Sequence, residues 1–274
     1  MRPALIRIII LISFFTCYAI SPVSSFAQSR KVMIAGSTSV QPIAEKLAEH
    51  FMQKRPDIKI EVQGGGSSAG VQAALSGAAD IGMSSRELKE SEAALKKFVV
   101  AYDAIVLIAN KNNAVEDVAR QDIKKIFAFE ITSWKNIKGS SAAGTITVLT
   151  REDGSGTRGA FEELVMGTAE IAARALVQDS TGSIREIVSN DIDALGYISF
   201  GSLNDKVKAL SVDGVKPLMQ NFIAGDAASR YKVIRPFLFL TREPPAGAAL
   251  EFMNYIRSAE GVDIIKKEGL VPVL

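Results

Sequence analysis

The chain of 274 residues carries 32 lysines and arginines against 30 aspartates and glutamates, with one histidine and one cysteine. This length suits one large domain or two medium lobes. With a net charge of +2, the chain lacks the excess of basic residues that is typical of nucleic-acid-binding proteins, so we expect no nucleic-acid partner. The single histidine, His50, cannot build a histidine triad or a histidine-rich zinc site, and we expect neither a metal nor a cofactor.

Residues 1–27 have the pattern of a secretory signal peptide. Arg2 and Arg7 give a basic start, residues 8–20 are apolar, and residues 25 and 27 are small side chains at the two positions that a signal peptidase recognises. The apolar stretch is shorter than the ~20 residues that a membrane-spanning helix needs. We therefore expect cleavage after residue 27 and a secreted, periplasmic protein.

Cys17 lies inside the apolar stretch and leaves a second interpretation open, that of a lipoprotein anchored through this residue. The preceding residues, 14–16, fit a lipoprotein signal poorly, and apolar sequence continues beyond Cys17. Cleavage after residue 27 would leave a mature chain without cysteine, and thus without a disulfide or a cysteine nucleophile. It would also remove two arginines and no acidic residue, leaving 30 residues of each sign.

Strand and helix patterns alternate along the rest of the chain, which predicts an α/β fold with mostly parallel sheets covered by helices. We expect the chain to form one lobe from residues 28–108 plus 234–274 and a second lobe from residues 109–233. The predicted strands are 31–35, 58–62, 79–83, 98–109, 145–149, 195–200 and 233–240, and the predicted helices are 40–53, 71–75, 118–128, a helix from about 156, 248–257 and 261–267.

Three loops share one form, in which small and hydroxyl-bearing residues follow a strand and precede a helix. They are residues 36–39, 64–70 and 151–158. Amides at a helix start lack intrahelical partners and the helix dipole favours negative charge, so three such loops together could surround a small tetrahedral anion. Each loop alone could equally be an ordinary helix cap. None matches the phosphate loop of nucleotide hydrolases or the dinucleotide fingerprint.

Six segments extend this pattern over almost the whole mature chain, and together they resemble the phosphate-binding subunit of the ABC phosphate importer. The resemblance implies a two-lobed periplasmic binding protein of type II, in which each lobe is a mostly parallel sheet flanked by helices and a two-strand hinge joins them. It also implies a monomer that captures inorganic phosphate and delivers it to a membrane permease. The segments are residues 35–39, 63–70, 80–86, 151–158, 196–200 and 235–239.

The resemblance also implies which residues of the first lobe bind the anion. Thr38 would donate its hydroxyl and its backbone N–H, and Ser39 would donate its backbone N–H. Ser67 would donate a hydroxyl at the start of the second helix. Closing the lobes would remove water and strengthen each of these bonds.

The second lobe would supply the charged contact. By the same resemblance, Arg151 binds the anion and Asp153 holds the Arg151 guanidinium in place. Ser155, Gly156 and Thr157 would complete the cradle.

Ser85 departs from the family pattern, because the long-studied branch has an aspartate at this position. That aspartate accepts the proton of hydrogen phosphate and repels sulfate, whereas a serine imposes no charge penalty on sulfate. Asp103, within an apolar strand, is our candidate substitute, although it could instead cap a turn or pair with an arginine. A receptor for sulfate, molybdate or another tetrahedral oxyanion is therefore the alternative function.

An enzyme is the more distant alternative. A secreted phosphatase would need Ser67 or Ser155 as its nucleophile, and the chain offers no histidine base beside either. We therefore expect a binding protein without catalytic residues. A second, adhesive role on the same fold stays open at this stage.

Overall fold

The computed structural model describes residues 30–223 and 230–273. The predicted signal peptide, Cys17 and residues 224–229 of the predicted second lobe lie outside the described residues. Within the described ranges, no helix combines the length and hydropathy that spanning a membrane requires.

Every predicted strand and helix is present, with ends shifted by a few residues. The strands are β1 (Arg30–Gly36), β2 (Ile58–Gly64), β3 (Ile81–Ser84), β4 (Lys96–Asn110), β5 (Asp117–Val118), β6 (Thr147–Arg151), β7 (Leu176–Gln178), β8 (Ala194–Ser199), β9 (Val207–Ala209), β10 (Ser211–Val212), β11 (Ile234–Thr241) and β12 (Val271–Pro272). The helices are α1 (Gln41–Lys54), α2 (Ser67–Ser76), α3 (Arg120–Phe127), α4 (Gly156–Phe161), α5 (Thr181–Asn190), α6 (Met219–Phe222), α7 (Gly247–Ile256) and α8 (Ala259–Lys267). The periodicity did not predict the strand and helix within residues 176–190, nor the short strands β5, β9, β10 and β12 and the short helix α6.

The main sheet has the strand order β2-β1-β3-β11-β4-β8-β6-β7. The outer pairs β1–β2, β1–β3, β6–β7 and β6–β8 are parallel, as the alternating pattern predicts. In the middle, β11 pairs antiparallel with both β3 and β4, and β4 pairs antiparallel with β8. These two apolar strands therefore connect the two parallel halves of the sheet.

Separate hydrophobic cores lie in the two halves. One contains buried residues from 32–101 and 237–270, and the other contains buried residues from 104–233. Along β11 the side chains alternate: Phe237 and Phe239 pack in the core with α1, α7 and α8, whereas Leu238 and Leu240 pack against α2. Because successive strand residues point to opposite faces, helices cover both sides of this strand.

The parallel strands bring several loops to one edge of each half. β1, β2 and β3 end at the same edge, and α1 and α2 begin just beyond it. Gly70, in the first turn of α2, lets this helix approach the sheet closely. A Cβ there would lie 2.5 Å from the Met83 carbonyl oxygen and 2.8 Å from the Ala35 carbonyl oxygen. No larger residue fits at this position without moving the helix.

Candidate functional site

Ser37 organises the loop between β1 and α1. Its Oγ accepts hydrogen bonds from the backbone N–H groups of Ser39 (3.3 Å) and Val40 (3.4 Å). The same Oγ donates to Ser85 Oγ at 2.9 Å, and the pair is buried. Sequence reasoning assigned the Ser39 N–H to the ligand, whereas in this structure it is bonded within the loop, and Ser37 was not among the predicted site residues.

Ser67 and Ser85 extend this hydroxyl cluster. Ser67 is the first residue of α2, is fully buried, and accepts the Ser85 backbone N–H at 3.0 Å. The hydroxyl oxygens of Ser67 and Ser85 are 3.4 Å apart. Three serine hydroxyls from three separate loops therefore meet at the edge where the parallel strands of the first half end.

Arg151 ends β6 and is only 1% exposed, although it is a charged residue. Its Nε and Nη2 donate to the two carboxylate oxygens of Glu152 at 2.8 and 2.9 Å. The prediction that Asp153 holds this guanidinium is wrong: Asp153 is exposed and forms an ion pair with Arg158. The acidic residue next to Arg151, and not the one two positions on, supplies the two-point contact.

The guanidinium of Arg151 also donates hydrogen bonds to both halves of the molecule. Nη2 donates to Thr38 Oγ1 at 3.2 Å, and Nη1 donates to Thr181 Oγ1 at 3.3 Å. The carbonyl oxygens of Gln178 and Asp179 accept from Nε and Nη2, both at 3.2 Å. The loop between β7 and α5 thus wraps one side of the guanidinium, and Thr38 reaches it from the other half.

Further contacts close the space between the halves. Ser39 Oγ lies 2.7 Å from Thr157 Oγ1 and 3.0 Å from Thr181 Oγ1, and all three residues are buried. A Cβ on Gly156 would lie 2.1 Å from Ser67 Oγ. The predicted residues of all three loops therefore come together at one place, although they are up to 119 positions apart in the sequence, as Thr38 and Thr157 illustrate.

Ser155 has the ordinary role of a helix cap, which the sequence left open for each of these loops. It is the N-cap of α4, and its Oγ accepts the backbone N–H of Arg158 at 3.2 Å. The residue is buried beside Gly156 and Thr157. Its hydroxyl hydrogen has no acceptor among the described contacts, so the capping role leaves Ser155 able to donate to a ligand.

Asp103 pairs with an arginine, which is one of the two ordinary roles that the sequence left open. Arg235 Nε and Nη2 donate to Asp103 Oδ2 at 3.1 and 3.0 Å, and Ser199 Oγ donates to Oδ1 at 2.8 Å. Arg235 Nη1 also donates to the Ser85 carbonyl oxygen at 3.2 Å. Burial raises the pKa of the Asp103 carboxyl above its ordinary value, and the charge of Arg235 opposes that rise.

Sequence reasoning missed Glu152, Thr181 and Arg235 as well as Ser37. A signal for Thr181 was available: Ser180 precedes apolar residues at 184, 187 and 188, which is the spacing of a capped amphipathic helix. Among the described residues, no group of three or more His, Cys, Asp or Glu side chains could hold a metal ion. The site therefore presents one held guanidinium, several hydroxyls and helix-start amides, a set suited to an oxyanion.

An α/β fold with this cradle between two sheet halves defines a type II periplasmic binding protein. A family model described as a PBP superfamily domain matches residues 22–260. The phosphate-binding protein PstS of Bacillus subtilis is 34% identical over 251 residues, which cover 89% of this chain and 81% of that protein. The chain belongs to the phosphate-binding protein family within this superfamily.

Two solved structures support the assignment. One is a phosphate ABC transporter substrate-binding protein from Clostridium perfringens with bound phosphate: its TM-score is 0.83, its identity is 43%, and the match covers 89% of this chain and 100% of that one. The other is an ABC-type phosphate transport receptor from Vibrio cholerae, with a TM-score of 0.71 and 36% identity, covering 88% and 100%. The predicted type II fold is confirmed by these neighbours.

Proposed function

We propose that this chain is a secreted, monomeric receptor that captures inorganic phosphate between two lobes and delivers it to the permease of an ABC importer. The observation that carries the proposal is the environment of Arg151. This guanidinium is buried, is held by Glu152, and is surrounded by hydroxyls from both halves. A buried arginine that is fixed in one orientation can give an oxyanion directed, charge-assisted hydrogen bonds.

The proposed ligand residues divide between two lobes, 28–108 plus 234–274 and 109–233. The first lobe provides Thr38, Ser39, Ser67 and Ser85, and the second provides Arg151, Ser155, Gly156 and Thr157. The separate hydrophobic cores support this division. Because the donors come from both lobes, phosphate would favour the closed arrangement over an open one.

The relatives support both the ligand and the absence of catalysis. The similar proteins from Bacillus subtilis, Clostridium perfringens and Vibrio cholerae are all named for phosphate binding or phosphate transport, and none is named as an enzyme. We extend these names to this chain as a proposal. Incubation with a chromogenic phosphate ester, with and without divalent metal ions, should release no product.

Titration calorimetry on the mature protein from Gln28, unfolded and refolded to remove bound ligand, tests the proposal. Phosphate should bind at one site per chain. Arg151→Ala should lose at least about a hundredfold in phosphate affinity. The affinity of Arg151→Lys should lie between those of the parent and Arg151→Ala, because lysine keeps the charge but not the planar guanidinium. A folded Arg151→Ala variant that binds phosphate as tightly as the parent would show that the site is elsewhere.

A second tetrahedral anion, sulfate, is the alternative that the geometry keeps open. Ser85 is neutral, and both carboxylate oxygens of Asp103 are engaged by Arg235 and Ser199. A cradle without a free carboxylate has no group that rejects a fully ionised anion. Titrating phosphate into protein that is saturated with sulfate separates the two functions: tight phosphate binding that excess sulfate does not weaken supports the phosphate receptor.

A further inference from the structure

Thr181, the first residue of α5, contacts the guanidinium of the proposed site and the opposite half of the molecule with a single hydroxyl. Its Oγ1 lies 3.3 Å from Arg151 Nη1 and 3.0 Å from Ser39 Oγ. The residue is 3% exposed. Because arginine has donors only, Thr181 Oγ1 accepts the hydrogen bond from Arg151. Thr181 is the one described acceptor of Nη1, which carries two hydrogens, so the second N–H is left for another acceptor.

The neighbouring hydroxyls form a short chain from Thr181 through Ser39 to Thr157. The two contacts in this chain measure 3.0 and 2.7 Å. Three hydroxyls carry three hydrogens, and two contacts use two of them. Among the described contacts no protein acceptor takes the third hydrogen. In either direction of the chain, one O–H of the three therefore remains to donate to an anion in the cradle.

We propose that Thr181 is a positioning residue for the anion: it fixes Nη1 of Arg151 and aligns the hydroxyl chain that links the two lobes. This inference rests on the proposed function, because the anion is the phosphate captured there. Without the Thr181 hydroxyl, Nη1 loses its described acceptor and Ser39 loses one of its two hydroxyl contacts across the interface. Both losses weaken the closed, phosphate-bound form more than the fold.

The test compares Thr181→Val, which keeps the shape and removes the hydroxyl, with Thr181→Ser, which keeps the hydroxyl and removes the methyl group. Phosphate affinity is measured by calorimetry and phosphate release by stopped flow. We expect Thr181→Val to bind about ten- to one-hundredfold more weakly, mainly through faster release, and Thr181→Ser to stay within about threefold of the parent. Thr181→Ala, which also lacks the hydroxyl, should behave like Thr181→Val and serves if the valine variant folds poorly.

Ser183→Ala is the matched control, because Ser183 is in the same helical turn and, among the described residues, its hydroxyl bonds only to Ser180 and Asp179. It should bind phosphate like the parent. The inference is overturned if the parent binds phosphate and Thr181→Val binds equally well, or if Thr181→Ser is as weak as Thr181→Val, since the methyl group would then matter and not the hydroxyl. A parent that binds no phosphate overturns the proposed function itself, which is a separate outcome.

Discussion

Asp103 and Arg235 face each other at one register position of the antiparallel pair β4–β11, and their side chains form an ion pair of 3.0 Å. Both side chains are almost completely buried, at 0% and 1% exposure. The pair lies on the two strands that connect the halves of the sheet, and Arg235 also bonds to the Ser85 carbonyl oxygen. It therefore ties the crossing strands to one loop of the proposed phosphate site.

Asp103→Asn tests whether this carboxylate serves the fold or the ligand. The change leaves the buried Arg235 charge without its partner, and we expect the free energy of unfolding to fall by about 3 kcal/mol. Urea denaturation measures the loss. The double variant Asp103→Leu with Arg235→Met should recover much of it, because no uncompensated charge stays buried. If Asp103→Asn instead keeps full stability and changes only the preference between phosphate and sulfate, the carboxylate contacts the ligand as the sequence analysis suggested.

The elements that the sequence predicted are those with a strong local pattern. β4 and β11 are almost continuously apolar, and α1 shows a clear buried face. The short strand β7 has exposed apolar side chains, Leu176 and Val177, and spans three residues, too few for a period to show. The helix that follows it was overlooked with it, so Thr181 was missed although its helix carried a capping signal.

The sequence predicted which loops form the site, but not which side chains pair with one another there. Parallel strands deliver their loops to a common edge, so the convergence of the three loops follows from the pattern. Which acidic neighbour contacts Arg151 depends on the direction of the chain after β6. Glu152 and Asp153 both carry a carboxylate, so the sequence does not distinguish them as partners of Arg151. The contact between Arg235 and Asp103 depends on the register of two strands that are 132 positions apart. Neither relationship has a local signal.

Glu92 and Arg86 form a second buried ion pair, which makes stability depend on pH. Both guanidinium nitrogens Nη1 and Nη2 donate to the carboxylate at 2.8 Å, and these bonds hold the pKa of Glu92 below its ordinary value of 4.5. The unfolded chain therefore takes up this proton at a higher pH than the folded chain. The contribution of the pair is complete above about pH 5 and is lost as the pH falls through the lowered pKa.

Glu92→Gln should lower the free energy of unfolding by about 1–3 kcal/mol at pH 7 and should reduce its dependence on pH between about 5 and 3. Urea denaturation at a series of pH values measures both effects. Glu90→Gln, an exposed neighbour, is the control and should follow the parent curve. If the free energy of unfolding of Glu92→Gln depends on pH as steeply as that of the parent, other carboxylates determine the acid sensitivity.

Ser85→Asp tests how the proposed site distinguishes phosphate from sulfate. A carboxylate at this buried position would accept the proton of hydrogen phosphate and would repel sulfate, which has no proton to donate at pH 7. We expect the ratio of phosphate to sulfate affinity to rise at least about tenfold. Ser85→Asn has nearly the same volume without the charge and separates the electrostatic effect from crowding. Equal ratios in the aspartate and asparagine variants would contradict the charge argument.

Gly156→Ala should weaken phosphate binding without weakening the fold. A Cβ at residue 156 would lie 2.1 Å from Ser67 Oγ and 2.8 Å from Ser85 Oγ, so the lobes could not approach as closely as they do here. Phosphate affinity should fall at least about a hundredfold. The free energy of unfolding without phosphate should stay equal or rise slightly, since alanine restricts the unfolded chain and favours the helix more than glycine. Gly159→Ala in the same helix should keep its affinity, because the nearest atom, Arg86 Cδ at 3.3 Å, would have to move by only a few tenths of an ångström. Tight phosphate binding by Gly156→Ala would show that the bound form is more open than this structure, and would move the contacts of Ser67 and Ser85 away from the second lobe.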